Sequence, residues 1–551
     1  MAHSLGRYPQ VEPGARALVD TRVLALPDRA TAAAALGLLR KRDALALVAV
    51  GDGVVLREDL ARAVELDLGE WSAADLARPV PVVLADASEI VVRRHIARGA
   101  PIVLVRERDT VLGAVSAAAQ PLAGPSLAHR VAGRITGPVG RLLAAATRLA
   151  ARQGARAFLV GGAVRDLLLN RVADRTDVDI VVEGDAPALA RALANDLGGA
   201  VVVHERFLTA AVDLPELGVV DVITARSERY DVRGALPRVM PAGIRQDLRR
   251  RDFTVNAMAI ELTSGAFELL DPFGGRGDLE RRRLRVLHPL SFVEDPTRMF
   301  RAARYAARLG FGLDRWSART QTRALGLGPY PALSGARLAA ELTHIVAEGA
   351  PATAALSRLG ATGAYRLFDS RYRFTRATEV RLGQLSNALA WADAARIDLR
   401  PVELVLVGLL GDQPSDVRDA ALRRLGWSGQ PLARVGKALD GACRALESLG
   451  PERPSSARAR QLRERSGLEL AWLWFTGNAD VRGVLDWFVA EARAVSPALR
   501  GDDLLALGVP RGPEITNVLG ELLDARLDRK LTDREAETRY VRQWLQRRLE
   551  G

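Results

Sequence analysis

The stretch FLVGGAVRDLLLNRVADRTDVDIVVEG, residues 158–184, contains two short apolar segments separated by a glycine pair and a helix-forming segment. The first predicted strand, Phe158–Val160, leads directly into Gly161 and Gly162. Glycines at a strand-to-helix junction let backbone N–H groups approach a phosphate, and a helix N-terminus favours anions. Arg165 adds a guanidinium that donates charge-assisted hydrogen bonds. The pattern therefore predicts an α/β element that binds a phosphate group.

Two aspartates stand at the start of the second predicted strand. Asp177 and Asp179 flank Val178 and precede the apolar run Ile180–Val182. Alternate residues of a strand point to the same face, so both carboxylates are expected to lie side by side. Two such carboxylates repel each other unless a cation lies between them, and oxygen ligands suit Mg²⁺. The pair predicts Mg²⁺ as cofactor, with both aspartates as ligands in a phosphoryl transfer.

Three further segments follow in the chain: VVDVITARSERY (219–230), DLRRRDFTVNAMAI (247–260) and FVEDPTRMFRAARYAARLGF (292–311). Together with LVGGAVRDLLLN and DVDIVV they resemble, in the same order, the catalytic signature of the bacterial tRNA nucleotidyltransferase and poly(A) polymerase family. That family lies within the DNA polymerase β superfamily. One departure is Asn170, where the family usually carries glycine, and Asn also tolerates positive φ.

The resemblance implies roles for individual residues. Asp221, on a further predicted strand, corresponds to a third metal carboxylate or a base for the RNA hydroxyl, which makes Asp177, Asp179 and Asp221 the expected catalytic residues. The RRDFTxNA motif is expected to hold the ribose and phosphates of the incoming nucleotide. The expected nucleotide-binding residues are Gly161, Gly162, Arg165, Asp166, Arg250, Arg251, Asp252, Asn256, Asp295, Arg298, Arg301 and Arg304.

Two of these motifs carry local structural expectations. Asp252 and Asn256 are four residues apart on a predicted helix and would share a face. Glu294-Asp295-Pro296 is expected to open a second helix, because acidic residues and proline favour a first turn. There Asp295 and Arg298 would be neighbours and imitate a base edge. The Asp295 carboxylate would accept from the amine of cytosine or adenine, and the Arg298 guanidinium would donate to the adjoining ring nitrogen. Uracil and guanine present a carbonyl instead and are rejected.

The function implied is template-independent addition of CMP and AMP from CTP and ATP to the 3′ end of tRNA, with release of pyrophosphate. Alternatives left open are an enzyme that adds only A or only CC, a poly(A) polymerase acting on other RNAs, and an inactive nucleotide-sensing RNA-binding protein. Residues 229–247 correspond to a flexible loop that governs switching from C to A. The length of this loop disfavours a CC-only enzyme.

The first 130 residues contain an internal repeat of about 55 residues. Residues 44–66 and 100–119 each form a predicted strand–turn–strand, with turns at 51–53 and 106–109, and a helix precedes each copy, at 31–42 and 88–99. The arrangement resembles a tandem pair of CBS domains, which bind adenosine-type nucleotides between the copies. The first copy has Gly53, Leu56 and Asp59 without the usual hydroxyl, and no Asp follows Gly113 in the second. Two roles of this module stay open: it binds a nucleotide, or it is a structural module that forms a homodimer.

The expected fold is thus an α/β CBS-like pair, then an α+β polymerase-β-type nucleotidyltransferase domain, then an all-helical C-terminal half. The corresponding domains are residues 1–130 (regulatory or dimerisation module), 141–290 (catalytic domain), 291–350 (base-selecting neck) and 351–551 (RNA-binding body and tail), with a Pro/Gly-rich connector at 121–140.

Composition supports an RNA partner and argues against a membrane. The net charge is +12, yet residues 1–130 carry 16 basic and 15 acidic side chains, so the basic excess lies beyond them and indicates a polyanion partner. No apolar run approaches the roughly 18 residues of a membrane span. The N-terminus lacks a secretory pattern, and the single cysteine, Cys443, is expected to be a core residue that forms no internal disulfide. A cytoplasmic location is expected.

Overall fold

The repeat at the N-terminus forms two small sheets in the computed structural model, which describes residues 14–27, 29–49, 53–117, 124–171, 178–450 and 452–550. The side chains of residues 206, 442–448, 549 and 550 lie outside this description, and with them the expected burial of Cys443. Residues up to Ser334 form one compact unit, and residues from Gly335 onward form another.

The N-terminal module consists of two strand–helix–strand–strand copies with the same pairing sense. Its elements are β1 (Val23–Ala25), α1 (Ala32–Lys41), β2 (Ala46–Ala49), β3 (Gly53–Leu56), α2 (Arg57–Glu65), β4 (Arg78–Pro79), β5 (Val82–Leu84), α3 (Glu89–Ala97), β6 (Ile102–Glu107) and β7 (Thr110–Ser116).

In each copy the first two strands pair in parallel and the last two pair antiparallel, β1-β2-β3 in one copy and β5-β6-β7 in the other. The predicted order of helices and strands in this repeat is confirmed. The turn predicted at 106–109 is shorter than expected, because β6 continues to Glu107 and leaves only Arg108 and Asp109 between the strands. Gly51 and Asp52 of the other predicted turn lie outside the described residues.

A seven-stranded mixed sheet with the order β10-β11-β12-β9-β8-β15-β16 forms the centre of the first unit. The pairing is antiparallel throughout except between β12 and β9, which run parallel. The elements of this region, in chain order, are α4 (Ala128–Arg134), α5 (Gly137–Arg152), β8 (Arg156–Val160), α6 (Gly162–Leu168), β9 (Asp179–Glu183), α7 (Ala186–Leu197), β10 (Ala200–His204), β11 (Thr209–Leu214), β12 (Gly218–Thr224), β13 (Arg226–Arg229), β14 (Arg238–Pro241), α8 (Ile244–Arg249), β15 (Ala259–Glu261) and β16 (Leu269–Leu270). Of these strands, β13 and β14 form a separate two-stranded sheet.

The core of this sheet explains why residues 158–184 fold as they do. Phe158, Val160 and Val181 are buried together with Ile244 and Leu248 of α8. Each such side chain contributes about 1.5–3 kcal/mol when it leaves water. β9 lies between β8 and β12. Because β8 and β9 run antiparallel, the end of β8 lies beside the start of β9, and Asp221 of β12 lies opposite that start.

The first unit closes with short elements that carry the remaining motifs: α9 (Gly275–Glu280), β17 (Arg283–Leu284), α10 (Ser291–Glu294), α11 (Thr297–Leu309), β18 (Gly312–Leu313) and α12 (Arg315–Gly326). The chain beyond residue 291, expected to be almost wholly helical, contains one two-residue strand, β18, which pairs in parallel with β17. The segment 229–247, expected as a flexible loop, contains strand β14, which forms an ordered antiparallel hairpin with β13.

The second unit is helical throughout the residues described, as predicted. Its helices are α13 (Gly335–Ala347), α14 (Ala352–Thr362), α15 (Arg376–Leu382), α16 (Leu385–Ala394), α17 (Pro401–Leu410), α18 (Ser415–Arg424), α19 (Gly429–Ser448), α20 (Ser455–Arg463), α21 (Gly467–Thr476), α22 (Ala479–Ala490), α23 (Gly501–Ala506), α24 (Pro513–Leu527) and α25 (Arg534–Glu550).

Apolar helices form the centre of this second unit. In α17, every residue from Glu403 to Leu410 is buried, and most of α21 is buried as well. Ser466 and Glu469 form a capping box that satisfies backbone N–H groups at the start of α21. In the part of the chain that the structure describes, no helix combines the length and apolar character that crossing a membrane requires.

Candidate active site

Two aspartates lie side by side at the edge of the central sheet. Asp179 is the first residue of β9, and its register partner on the parallel strand β12 is Asp221. Residues in register on adjacent strands project from the same face. A Cβ atom on Gly161 would lie 3.5 Å from Asp179 Oδ2, so the Asp179 carboxylate adjoins the glycine turn. Asp177 lies outside the described residues, and its expected place beside Asp179 stays a prediction.

The glycine turn has a backbone conformation that few other residues adopt. Gly161 has φ +70° and ψ −129°, a combination that favours glycine. A Cβ here would also lie 3.1 Å from Arg251 Nη1, which shows how closely that guanidinium approaches the turn. Gly162 begins α6, which has seven residues. The turn therefore joins an aspartate and an arginine that are 72 residues apart in sequence.

Arg165 is buried and paired within the protein. Its Nε and Nη2 atoms each donate to a carboxylate oxygen of Asp166 at 2.9 Å, and its Nη1 donates to Asn256 Oδ1 at 2.7 Å. The side chain is 2% exposed. Arg165 thus ties α6 to the segment around Asn256, and its expected contact with a phosphate stays a prediction.

The helix predicted over residues 252–256 is wrong: residues 254–256 form a single 3₁₀ turn, and Asp252 lies before it. The expected contact is nevertheless present, because Asn256 Nδ2 donates to Asp252 Oδ1 at 3.0 Å. The other oxygen of Asp252 accepts from Arg301 Nε at 2.8 Å. Burial acts to raise the pKa of Asp252, but the charge of Arg301 and these hydrogen bonds outweigh burial and lower it. A tight turn brings the pair together as effectively as a helix would.

Arg250 and Arg251 are held by Asp247, which is not among the site residues predicted from the sequence. Asp247 on α8 is fully buried and accepts from Arg250 Nε at 2.9 Å and from Arg251 Nη2 at 3.0 Å. Burial acts to raise the pKa of Asp247, and the two arginines outweigh it, so the pKa is lowered. Glu228 Oε1 also accepts from Arg250, at 2.9 Å. The spacing of three and four residues from Asp247 to the arginines was the signal that could have identified it.

Asp295 lies between two helices and not inside one. Helix α10 ends at Glu294 and α11 begins at Thr297, which corrects the prediction that Glu294 opens the second helix. The Asp295 carboxylate accepts from the backbone N–H of Thr297 at 3.0 Å and from its hydroxyl at 2.6 Å, so it caps α11. This capping role, together with Pro296, explains why the helix starts after the motif.

Arg298 lies in the first turn of α11 and is anchored on both sides. Its Nη1 donates to Ser291 Oγ at 2.7 Å and its Nη2 donates to the Arg250 carbonyl at 2.7 Å. The side chain is 4% exposed. Arg298 therefore joins the start of α11 to α10 and to the arginine pair that follows α8.

Four arginines surround the ring of Tyr305, a residue absent from the sequence-based site. The guanidinium carbons of Arg165, Arg301, Arg304 and Arg308 lie 5.6, 5.6, 5.1 and 5.7 Å from the ring centre. Arg301 Nη2 also donates to the Tyr305 hydroxyl at 3.2 Å. Cations near an aromatic face are stabilised by its quadrupole. Tyr305 thus gathers three of the expected nucleotide-binding residues, and Arg308, around one ring.

The donor set at the sheet edge suits a hard divalent cation. Asp179 and Asp221 supply carboxylate oxygens, which Mg²⁺ prefers. Among the described residues, which do not include Asp177, no cluster of three or more His, Cys, Asp or Glu side chains could hold a metal ion. The two described carboxylates therefore fit part of a metal site.

Comparison with known proteins identifies the family. Residues 157–285 match the Poly A polymerase head domain. An A-adding tRNA nucleotidyltransferase of Geobacter sulfurreducens is 33% identical over 70% of this chain and 44% of its own length. Another A-adding tRNA nucleotidyltransferase, from Halalkalibacterium halodurans, is 32% identical over 68% of this chain and 85% of its own length.

The fold leads to the same family. A Thermotoga maritima CCA-adding enzyme, solved in complex with tRNA, superposes with a TM-score of 0.66 at 26% identity and covers 77% of this chain and 99% of its own. This similarity extends well beyond the head domain into the helical half. The carboxylates, the glycine turn and the arginine cluster thus stand in a shared framework, and the chain belongs to the tRNA nucleotidyltransferase family.

Proposed function

We propose that this chain is a template-independent nucleotidyltransferase that adds CMP and AMP from CTP and ATP to the 3′ end of tRNA and releases pyrophosphate. The observation that carries the proposal is the register of Asp179 with Asp221, together with the close approach of Asp179 to the Gly161 turn. The chain spans 44% of the Geobacter relative and 85% of the Halalkalibacterium relative. Both relatives act on tRNA, which favours tRNA over other RNAs as the acceptor.

The RNA 3′-hydroxyl attacks the α-phosphorus of the nucleotide, a P–O bond forms, and the bond to pyrophosphate breaks. Asp177 and Asp179 would hold Mg²⁺, which when bound neutralises phosphate charge and activates the attacking oxygen. Asp221, in register with Asp179, would orient or deprotonate the hydroxyl. Gly161 leaves room for the triphosphate beside Arg251. Catalysis of this kind rests mainly on positioning and charge neutralisation.

Asp295 and Arg298 select the base in this proposal. Their side chains accept from an exocyclic amine and donate to the adjoining ring nitrogen of cytosine or adenine. The anchoring of Arg298 on Ser291 and Arg250 supports the selection, because a fixed donor rejects a base that cannot accept from it. A base that mismatches leaves polar groups unpaired.

An enzyme that adds only the terminal A is the second candidate. The two relatives that cover 68–70% of this chain are both A-adding enzymes. The segment expected to govern switching carries the β13–β14 hairpin, and a segment of this length is compatible with either specificity.

Incorporation on three tRNA substrates distinguishes the candidates. The full chain is incubated with tRNA that lacks its tail, ends in C, or ends in CC, and CTP or ATP is supplied separately. CTP addition to the first two and ATP addition to the third indicate a CCA-adding enzyme. ATP addition to the CC end alone indicates an A-adding enzyme. Addition of many A residues to an unrelated RNA would instead indicate a poly(A) polymerase and contradict both candidates.

Removal of one carboxylate tests the proposed chemistry. Asp177→Ala and Asp179→Ala are each expected to lower kcat by at least about 100-fold, because stabilising groups at the reacting phosphate contribute this much or more. The affinity for tRNA should change little. Asp196→Ala is the control, because it removes a carboxylate on α7 that pairs with Arg148 of α5. An active Asp179→Ala enzyme would exclude the carboxylate from the reaction.

The N-terminal module is proposed to be a CBS-like pair that binds an adenosine-type nucleotide. A cavity of about 540 Å³ opens beside it, with Leu36, Leu45 and Ile102 among its apolar lining residues. Its charged lining comprises five arginines and two carboxylates, Arg22, Arg40, Arg57, Arg245, Arg249, Asp43 and Glu58. An apolar lining with excess positive charge suits a base joined to a phosphate.

AMP binding tests this nucleotide site. AMP is expected to raise the thermal midpoint of the full chain, since a ligand that binds the folded state stabilises it. Arg40→Glu should abolish the shift, whereas Arg42→Glu, a neighbouring arginine that does not line the cavity, should retain it. The absence of any shift with wild-type protein would leave the module with a structural role.

Three further parts complete the proposal. The helical second unit binds tRNA through its backbone and shape. The N-terminal module forms a homodimer. The protein acts in the cytoplasm, a location supported by its single cysteine, which fits a reducing compartment.

A further inference from the structure

Helix α2 of the N-terminal module presents charged side chains to the elements that carry nucleotide selection. Glu58 pairs with Arg249 at the end of α8, Arg62 Nε lies 3.2 Å from Glu294 Oε1, and Glu65 pairs with Arg229 at 3.2 Å. The spacing of four and three residues places these side chains on one face of α2. One face of a helix in the N-terminal module therefore contacts α8, the hairpin and the base-selecting motif.

The contact to Glu294 is the buried one. Glu294 is 3% exposed and the Arg62 side chain is 23% exposed, whereas Glu58 and Glu65 lie at the rim. On the other side of Glu294, His288 Nε2 lies 3.2 Å from its second carboxylate oxygen, and His288 is 1% exposed. Burial lowers the pKa of His288 to about 4, so this imidazole is neutral near pH 7. The positive charge that faces Glu294 from the N-terminal module is therefore that of Arg62.

Glu294 fixes the backbone that immediately precedes Asp295. Its carbonyl accepts from the Gly234 N–H of the hairpin at 3.1 Å, and its own N–H donates to the Leu290 carbonyl at 2.9 Å. Asp295 then adopts an extended conformation and caps α11. The Glu294 side chain therefore extends from this hydrogen-bonded segment one residue before the Asp295 carboxylate.

From this geometry we infer that Arg62 is a positioning residue for base selection, acting through Glu294 on Asp295. The inference rests on the proposed function and deepens it. It gives the N-terminal module a part in base selection, although none of its residues is among the expected nucleotide-binding residues of the catalytic and neck domains. Arg62 need not touch the nucleotide, so its effect falls on the preference between bases more than on the rate with the correct one.

The test compares ATP with GTP on tRNA ending in CC, a substrate for a CCA-adding and an A-adding enzyme alike. Guanine carries a carbonyl where adenine carries its amine, so the ratio of kcat/KM for the two nucleotides reports the orientation of Asp295. In the full chain, Arg62→Met should lower this ratio about tenfold, within the range that a misplaced polar group costs. Arg62→Lys should restore most of the preference. Arg93→Met, which removes an arginine paired with Glu89 on α3, should match wild type.

A second variant keeps the inference testable if Arg62→Met does not fold. Arg62→Met combined with Glu294→Gln removes both charges and leaves no unpaired buried carboxylate. It should fold and still show the lowered ratio. A folded Arg62 variant, single or double, whose ratio stays within about twofold of wild type overturns the inference. No ATP incorporation by the wild-type chain would overturn the proposed function itself, so the two failures are distinguishable.

Discussion

His288 contributes a pH dependence that belongs to a single side chain. Burial lowers its pKa from 6.5 to about 4, so the unfolded chain takes up a proton near pH 6.5 while the folded chain stays neutral. The unfolded state binds more protons between these values, and stability falls as the pH falls. The difference amounts to about 3 kcal/mol, present above pH 6.5 and lost as the pH approaches 4.

The measurement is urea unfolding at about pH 7, 6 and 5, followed through proteolytic cleavage in the first unit. His288→Gln cannot titrate, so its unfolding midpoint should change less with pH than that of wild type. His129→Gln, on the exposed surface of α4, should keep the wild-type dependence. Equal pH dependence in wild type and His288→Gln would show that this histidine is already protonated or exposed in the folded chain.

At this scale, a contact within one motif could be predicted, and contacts between distant segments could not. Asp252, Asn256 and Arg301 were selected from the sequence, and the structure joins all three by hydrogen bonds. The contact of Arg62 with Glu294 spans 232 residues, and no local pattern indicates it. A buried ion pair of this kind forms only where separate modules pack together. The periodicity of apolar residues in the sequence does not indicate that packing.

Helix α11 is the element that organises the arginine cluster. Arg301, Arg304, Tyr305 and Arg308 follow each other at helical spacing, so their side chains share one face. Tyr305 supplies the ring around which the guanidinium groups are arranged, and its own pKa is raised by burial. The ring keeps several like charges at fixed positions.

Replacement of Tyr305 separates the ring from its hydroxyl. Tyr305→Leu removes the cation–π contacts and should raise the KM for ATP about tenfold, with a smaller effect on kcat, because several contacts of about 0.5–1 kcal/mol are lost together. Tyr305→Phe keeps the ring and loses only the hydrogen bond from Arg301, so its KM should stay within about threefold of wild type. Steady-state kinetics on tRNA ending in CC provides both values. Equal KM values for the Leu and Phe variants would deny the ring this role.

Element types were predicted more reliably than element boundaries. The helix predicted from Glu294 onward exists, but it starts at Thr297, because the Asp295 carboxylate accepts a hydrogen bond from the Thr297 N–H and lies before the helix. The helix expected over 252–256 is a single 3₁₀ turn, and the same side chains meet in it. Side-chain hydrogen bonds to the backbone decide where such short helices begin, and the spacing of apolar residues does not reveal them.

Across the whole molecule, the order of the parts followed from the sequence. The repeat, the region of alternating strands and helices and the helical half appear in the order that the sequence indicated. The attachment of the N-terminal module to the head did not follow. It depends on charged pairs such as Glu58 with Arg249 and on the Arg78 side chain, which donates to the Leu287 carbonyl at 3.3 Å. In the sequence, Glu58 or Arg249 alone resembles an ordinary surface charge, and so does Arg78.

The oligomeric state is the prediction that belongs to the whole molecule. Leu84 lies on β5, an edge strand of its sheet, and is 58% exposed, and Ile90 on α3 is 52% exposed. Large apolar side chains exposed near a strand edge favour pairing with another chain. Light scattering should therefore give twice the single-chain mass of 59.4 kDa.

The double variant Leu84→Asp, Ile90→Asp should return the mass to that of one chain, because two carboxylates in an apolar interface are costly to bury. Val380→Asp is the matched control, since Val380 is also 58% exposed but lies on α15 of the second unit, and it should leave the dimer intact. A wild-type mass of one chain, or a double variant that stays dimeric, would remove dimerisation through this surface and leave the N-terminal module with its contacts to the head alone.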